Sequence, residues 1–359
     1  MLEGTVIGLV ALILAEYAAF VGRVNWRGRA SNETAPATDL PQLTVLIPCR
    51  NEAENLGGLL QDLARQTHPV EVLVIDDHSE DSTKHIAEQA GHPVRCIPSN
   101  GFGKKAALAT GHAQVQTPWM ATLDADVRLE PGWATAMLST TANSAAVIGP
   151  VAIVAEPSDS WERFQALEYG AMMVWIAGGV QQGRLAMGSG ANSLYATADY
   201  PVDSLHPEQA SGDDGFALLA LKQAGKHITW CNAPEALVVT RPVPTWKALW
   251  QQRARWASKT GGQDAATARA AMRVAVHHIV GIALLGVSLV DPRGWPMAGA
   301  FWLVKALLDG GMVRAAARKF GLARCPIDRL TFTLRYAILV LGAWWELLTQ
   351  QVDWKGRRI

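Results

Sequence analysis

Cysteine is scarce and charge is balanced in this chain of 359 residues. The 4 cysteines, Cys49, Cys96, Cys231 and Cys325, show no Cys-x-x-Cys spacing. That argues against a disulfide framework or zinc site and leaves reduced cytosolic thiols. Lys and Arg total 32, as do Asp and Glu, so no net positive field is present to hold nucleic acid. No GxGxxG follows the first strand pattern, as a Rossmann dehydrogenase would require, and no GxxxxGK[ST] phosphate loop occurs. Internal repeats and long low-complexity tracts are also missing. What remains is length for about two domains and a hydrophobic share of 49%, unevenly spread.

The apolar runs gather at the two ends. Leu2 to Val21 carries charge only at Glu3 and Glu16 and is long enough to cross a bilayer core of about 30 Å. Arg23, Arg27 and Arg29 follow, which puts the next domain in the cytoplasm by the positive-inside rule. A cleaved signal peptide is the alternative. It fits less well, because the basic residues come after the apolar run and no small-x-small cleavage site is evident. Residues 1–22 are therefore expected to be an anchor, and 23–41 a polar, proline-bearing linker. Within 270–350, Val274 to Val290, Pro296 to Val313 and Leu330 to Leu348 are candidate membrane helices. Lys305 and Asp309 interrupt the second and, at i and i+4, are spaced to pair. The third carries Arg335 and Glu346. The loop bearing Arg314, Arg318, Lys319, Arg324 and Arg329 belongs on the cytoplasmic side, which suits two spans before it. The basic tail, 351–359, conflicts with a full third crossing, so Leu330 to Leu348 is left as spanning, interfacial or re-entrant.

Between these ends, residues 42–240 alternate strand and helix patterns. Leu43–Ile47, Val70–Ile75 and Val94–Ile97 read as strands, with helical spacing over Asn55–Arg65 and Ser82–Ala90. The alternation predicts a parallel sheet with right-handed crossovers, and ligands collect at the carboxyl ends of such strands. Asp76-Asp77 follows the second run. The run Ala121-Thr-Leu-Asp-Ala-Asp126 ends in two aspartates one residue apart, which a strand would aim to one side. Paired hard oxygens suit Mg²⁺ or Mn²⁺ bridging a diphosphate; a plain turn cap is the alternative. Gly101-Phe-Gly-Lys-Lys105 leads into a helix expected from about Lys105, where free N–H groups suit phosphate, or it is an ordinary glycine turn.

Four stretches occur in order: Leu43-Thr-Val-Leu-Ile-Pro-Cys-Arg-Asn-Glu52, Val74-Ile-Asp-Asp-His-Ser79, Gly103-Lys-Lys-Ala-Ala-Leu108 and Leu123-Asp-Ala-Asp126. Together they resemble the nucleotide-sugar-binding half of family 2 glycosyltransferases, which have the GT-A fold. The resemblance implies an α/β domain, Rossmann-like with a mixed sheet flanked by helices, joined here to transmembrane or interfacial helices. It implies that Asp76 or Asp77 meets the uracil edge, with Asn51 and Glu52 near the nucleoside. Lys104 would approach the diphosphate, and Asp124 and Asp126 would hold the metal.

The second half extends the resemblance to about Lys259. Ser211-Gly-Asp-Asp214 enters an apolar helix and by itself is an N-cap favoured by the helix dipole. In the resemblance it matches a Glu-Asp motif whose second acid is the general base, making Asp214 the base, with Asp213 in place of the commoner Glu. Gln252-Arg-Ala-Arg-Trp256, within 241–262, matches the Gln-x-x-Arg-Trp of cellulose-synthase-like and hyaluronan-synthase-like members. On a helix Gln252, Arg255 and Trp256 share a face, offering a cation to phosphate and a flat ring to an acceptor sugar. The alternative is an interfacial helix with Trp246, Trp250, Arg253, Arg255 and Trp256 at the headgroup level. Trp161–Ile176 reads as packing, and Gly188–Asn192 as a pocket edge or a turn. The expectation is a multi-pass inner-membrane inverting glycosyltransferase with its catalytic domain in the cytoplasm. It would use a nucleotide-sugar donor, UDP-linked by the resemblance, the divalent metal Mg²⁺ or Mn²⁺, and a lipid or glycan acceptor. A processive polysaccharide synthase is the alternative, and a non-catalytic scaffold the third reading.

Overall fold

The computed structural model describes residues 8, 10–19, 22, 40–206, 212–258, 265–323, 326–349, 353–354 and 357–358. The linker 23–39, Ser211, and most of the tail lie outside the described residues. After the apolar helix α1 (Val10–Ala19), the chain enters the sheet at β1 (Leu43–Cys49), an apolar run buried nearly throughout. Helices α2 (Leu56–Ala64), α3 (Thr83–Gln89) and α4 (Lys104–His112) carry the chain between β1, β2 (Glu71–Asp76), β3 (Val94–Pro98) and β4 (Trp119–Thr122). These four strands pair in parallel, with β1 between β2 and β4. The order expected from the alternating pattern is thus present, each element shifted by a residue or two.

Register decides where ligands can gather. Cys49 stands opposite Asp76, and Asp76 opposite Pro98, so the carboxyl ends of β1, β2 and β3 share one edge. The β4 ladder stops at Thr122 opposite Leu46. Asp124 and Asp126 therefore lie beyond the strand, in the turn entering β5 (Arg128–Leu129). This corrects the expectation that a strand pleat aims them: the turn does.

After α5 (Trp133–Leu138) the sheet changes sense. The strand β8 (Ser193–Ala196) runs antiparallel to both β4 and β6 (Ala146–Ile148), and β9 (Ile228–Trp230) closes a 7-stranded sheet of order β3-β2-β1-β4-β8-β6-β9. A second sheet, order β5-β10-β7, joins β10 (Val238–Thr240) to β7 (Val151–Ile153) and β5. The architecture is a mixed α/β, GT-A-like fold.

Helix α6 (Ser160–Gln181) starts where the Asp159 carboxylate accepts from the Trp161 and Glu162 backbone N–H groups at 2.6 and 3.2 Å, an N-cap that satisfies otherwise orphaned donors. Helix α7 (Asp213–Gln223) begins after Gly212, whose φ of +92° is costly for other residues. The Thr245 hydroxyl caps α8 (Trp246–Ala257) through Ala248 N at 3.2 Å. Then come α9 (Ala265–Val290), α10 (Trp295–Lys319) and α11 (Pro326–Thr349), with α10 packed on α6 and α11 on α8. Among the described residues one helix segment, Thr267–Val290, is long and apolar enough to cross a membrane. Buried charge marks the others: the Lys305 ammonium donates to Asp309 Oδ2 at 2.7 Å, the i, i+4 pairing expected from sequence.

Helix α8 does not lie open on all its outer face. Trp246 meets the Trp161 ring at 4.7 Å, Leu249 is fully buried, and Arg253 is buried in an ion pair with Glu168. The headgroup-level placement of Arg253 is corrected by that pair.

Candidate active site

One cavity of about 650 Å³ runs from the carboxyl edge of the sheet to the helices. Its polar end is lined by Glu52, Asp77, Lys104, Asp124, Asp126, Asp213 and Asp214, and α8 adds Gln252, Arg253, Arg255 and Trp256. Among the helices it is lined by Met172, Met173 and Ile176 of α6 and by Phe332, Leu339, Val340 and Ala343 of α11, with Tyr17, Asp309 and Tyr336 as polar groups among them.

The polar end is built from strand ends and helix starts. Asp77 donates its backbone N–H to Cys49 O at 2.7 Å, and its Oδ2 accepts from Gly103 N at 2.9 Å. That bond ties the end of β2 to the start of α4. Gly103, with φ of +89°, makes the turn that presents Lys104. The Lys104 ammonium donates to Asp124 Oδ1 at 2.7 Å and lies 3.3 Å from Asp213 Oδ2. Burial alone would lower this lysine; Asp124 and Asp213 overcome it and hold it well above the usual lysine value. Desolvation within the cleft, then the charges of Asp124 and Glu52, push Asp126 up to about 6. Asp213 and Asp214 occupy the first turn of α7, where the helix dipole favours carboxylates. Asp214 Oδ2 accepts from Gly190 N at 3.2 Å.

A side chain at Gly190 would have to displace its neighbours. A Cβ there would stand 2.8 Å from Lys104 Nζ and 2.9 Å from Asp213 Oδ2. The stretch Gly188–Asn192 is thus a pocket edge and also a fixed one. Fully buried Asn192 accepts from Trp133 Nε1 at 3.0 Å and donates to Pro150 O and Ala236 O at 2.8 and 2.9 Å.

Two residues singled out in sequence are outside the cavity walls. Asn51, with φ of +52°, accepts from Glu80 N at 2.9 Å and holds the loop after β1 against the loop after β2. Asp76 lies at the end of β2, its Oδ2 3.4 Å from Ser79 N. Glu52 does reach the cavity, steadied by Asn55 Nδ2 at 2.9 Å. Gln252, Arg255 and Trp256 all line the cavity, together with Arg253 and Ala257 of the same helix. Burial, and to a smaller extent the neighbouring Arg253, lower Arg255 from the usual arginine value, while Asp124 opposes them.

Sequence reading passed over Glu168 and the role of Arg253. The signal was Glu168, an acid flanked by Ala166, Leu167 and Tyr169 well inside the helix, which a purely packing helix has no use for. That helix packs and also lines the cavity.

Among the described residues no group of three or more His, Cys, Asp or Glu side chains could hold a metal by itself. Asp124 and Asp126 offer two carboxylates, and the crowding that raises Asp126 is the kind a cation relieves. Mg²⁺ commonly takes one or two carboxylates and completes its shell with phosphate oxygens and water. The residues fit a divalent ion shared with a diphosphate.

Residues 44–194 match the model of Glycosyl transferase family 2. The chain is 24% identical over 234 residues to a probable glycosyltransferase, YdaM, of Bacillus subtilis strain 168, covering 61% of this chain and 55% of that one. It is 31% identical over 213 residues to the undecaprenyl-phosphate 4-deoxy-4-formamido-L-arabinose transferase of Serratia proteamaculans strain 568, covering 51% of this chain and 65% of that one. The chain thus spans less than two thirds of the length of these curated relatives. The mannosyltransferase PcManGT of Pyrobaculum calidifontis, solved with GDP-Man and Mn²⁺, superposes with a TM-score of 0.57 at 20% identity, covering 95% of this chain and 99% of that one. At that identity the likeness concerns the fold.

Proposed function

We propose that this protein is a membrane-associated, inverting glycosyltransferase that moves a sugar from a nucleotide-sugar donor, UDP-linked in our reading, to a lipid or lipid-linked acceptor. The observation that carries the reading is the continuity of the cavity, from Asp124, Asp126 and Asp214 at one end to the apolar walls of α6 and α11 at the other. A donor diphosphate is hydrophilic and an acceptor tail is not, and one cavity offers each its own environment. Exposed Leu303, Leu307, Leu334, Leu341, Trp345 and Leu348 on α10 and α11 support a bilayer around the helices. The name of one relative, an undecaprenyl-phosphate sugar transferase, agrees with a lipid-linked acceptor.

In this reading Asp77 and the loop after β1 receive the nucleoside, and Lys104 and Arg255 hold the diphosphate by charge-assisted bonds. Asp124 and Asp126 would hold Mg²⁺ or Mn²⁺, which when bound neutralises charge on the departing diphosphate. Asp214 takes the proton of the acceptor hydroxyl as that oxygen forms its bond to the anomeric carbon. The bond from the anomeric carbon to the diphosphate breaks on the opposite face, so a single displacement inverts the centre. The Gly190 N–H fixes the Asp214 carboxylate for that step. The helix-lined part of the cavity, Gln252 and the Trp256 edge would receive the acceptor.

The test is nucleotide release by detergent-purified protein across UDP- and GDP-sugars, with Mg²⁺ or Mn²⁺ or with EDTA, and with or without membrane lipids. Release that requires one sugar, metal and lipid is expected. Release without lipid, with a growing polymer, would replace this reading by a polysaccharide synthase.

A further inference from the structure

The pair Glu168 and Arg253 crosses the cavity wall between α6 and α8, and the mechanism above leaves it unused. Both side chains are nearly inaccessible, at 9% for Arg253 and 5% for Glu168. Arg253 Nε donates to Glu168 Oε1 at 3.1 Å, and its Nη2 to Glu168 Oε2. Its Nη1 donates to Gln252 Oε1. The guanidinium plane also covers Trp256, with Cζ 4.1 Å from the ring centroid. Tyr169 meets Trp256 at 5.7 Å, tilted by 48°, and lies 5.8 Å from the same guanidinium.

This arrangement engages all three nitrogens of the guanidinium. Arg has donors in a rigid plane and no acceptor, so a bidentate carboxylate and one amide oxygen hold it in one orientation. Without Glu168, a cation on the wall of a cavity that holds a diphosphate would turn toward the phosphate oxygens. Arg255, two residues along the same helix, already feels both the Asp124 charge and the Arg253 charge. Two unrestrained guanidinium groups would compete for one diphosphate and leave Trp256 without its covering plane.

We propose that Glu168 and Arg253 form a positioning pair in which the Glu168 carboxylate keeps Arg253 against Trp256 and away from the donor diphosphate, so that Arg255 serves that diphosphate from α8. The inference rests on the donor-site reading above. It assigns Glu168 no contact with substrate; Glu168 acts through Arg253.

The experiment is calorimetric binding of inorganic pyrophosphate with Mg²⁺ to the full, detergent-purified chain. Glu168→Gln releases Arg253 and is expected to tighten binding about tenfold, the size of one added charge-assisted contact, with a steeper salt dependence. Arg253→Met leaves the Glu168 carboxylate uncompensated beside the cavity and is expected to weaken binding by a similar factor. Opposite signs are the signature, because loss of a purely structural pair would weaken binding in both variants. The neutral double variant Glu168→Gln/Arg253→Met removes the buried lone charge that could unfold either single variant, and is expected within about twofold of wild type. Unchanged or weaker binding by Glu168→Gln, or tighter binding by the double variant, overturns the proposal. If the wild-type protein binds no pyrophosphate, the donor-site reading falls and this inference with it.

Discussion

On the sheet side of the cavity, Asp124, Asp126 and Asp214 line the open space, with Lys104 against Asp124 and the Gly190 N–H against Asp214. On the helix side, charge is buried and paired. Arg163 grips Asp328 at 2.9 and 3.1 Å, Arg253 grips Glu168, and Lys305 reaches Asp309, which also accepts from Tyr17 at 2.6 Å and Thr333 at 2.9 Å. The two walls use the same residue types for different ends. The carboxylates gathered on the cavity wall stand where a cation and a phosphate have room to enter, so they are suited to binding. Buried pairs have little net stability to offer, but removing one partner is costly, so they act as pins that set how α1, α6, α8, α10 and α11 meet.

The sharpest way to test the contrast is to neutralise a presented acid. Asp214→Asn should cut transfer by about 10²–10⁴-fold while nucleotide binding and melting temperature stay near wild type. Transfer at the wild-type rate would remove Asp214 as the base. The complementary change strikes a pin. Arg163→Met strands Asp328 in a buried site and should cost about 3–5 kcal/mol, read as a lower denaturation midpoint. A change within experimental error would mean that the helix-side pairs are not pins.

Gly190→Ala lies where the presented acids crowd each other. The added methyl displaces the Lys104 ammonium or Asp213, so kcat/KM should fall by up to about 100-fold with stability little altered. Equal activity in the alanine variant would show that the bridge is not needed in that geometry.

The smallest effect concerns pH. Because Asp126 is raised to about 6, its ionisation opposes folding, and the penalty grows as pH rises from about 4 and is complete above about 6. Asp126→Asn should therefore raise the melting temperature slightly at pH 7.5, by about 2 °C or less, and leave it unchanged at pH 4. Lower pH should also weaken metal-dependent pyrophosphate binding by the wild type. A variant less stable than wild type at pH 7.5 would mean that the carboxylate is compensated rather than crowded.

The two walls also differ in how far they can be read from sequence. Leu43–Ile47 and Val70–Ile75 are legible as strands because central parallel strands are buried on both faces and so run apolar. Their following acids mark the ligand edge for the same reason. Past Asp126 the strands shorten to two to four residues, too few to display a period, and the reversal at β8 leaves no local signal. Asp124 and Asp126 are legible as a pair, but their orientation comes from the turn after Thr122 and not from strand alternation. Asn51 and Asp76 share a motif with cavity-lining neighbours, yet a motif does not say which of its members faces the space.

By itself, then, the sequence determined the alternating first half of the fold, the ligand edge, the Lys305–Asp309 spacing and the apolar ends, because each is a short-range pattern of burial or charge. Only the tertiary structure decided that Glu168 meets Arg253, that Arg163 meets Asp328, and that a methyl group on Gly190 would press on Lys104 and Asp213. These contacts join residues far apart in the chain, through crossing angles and a change of strand sense that local propensity does not encode.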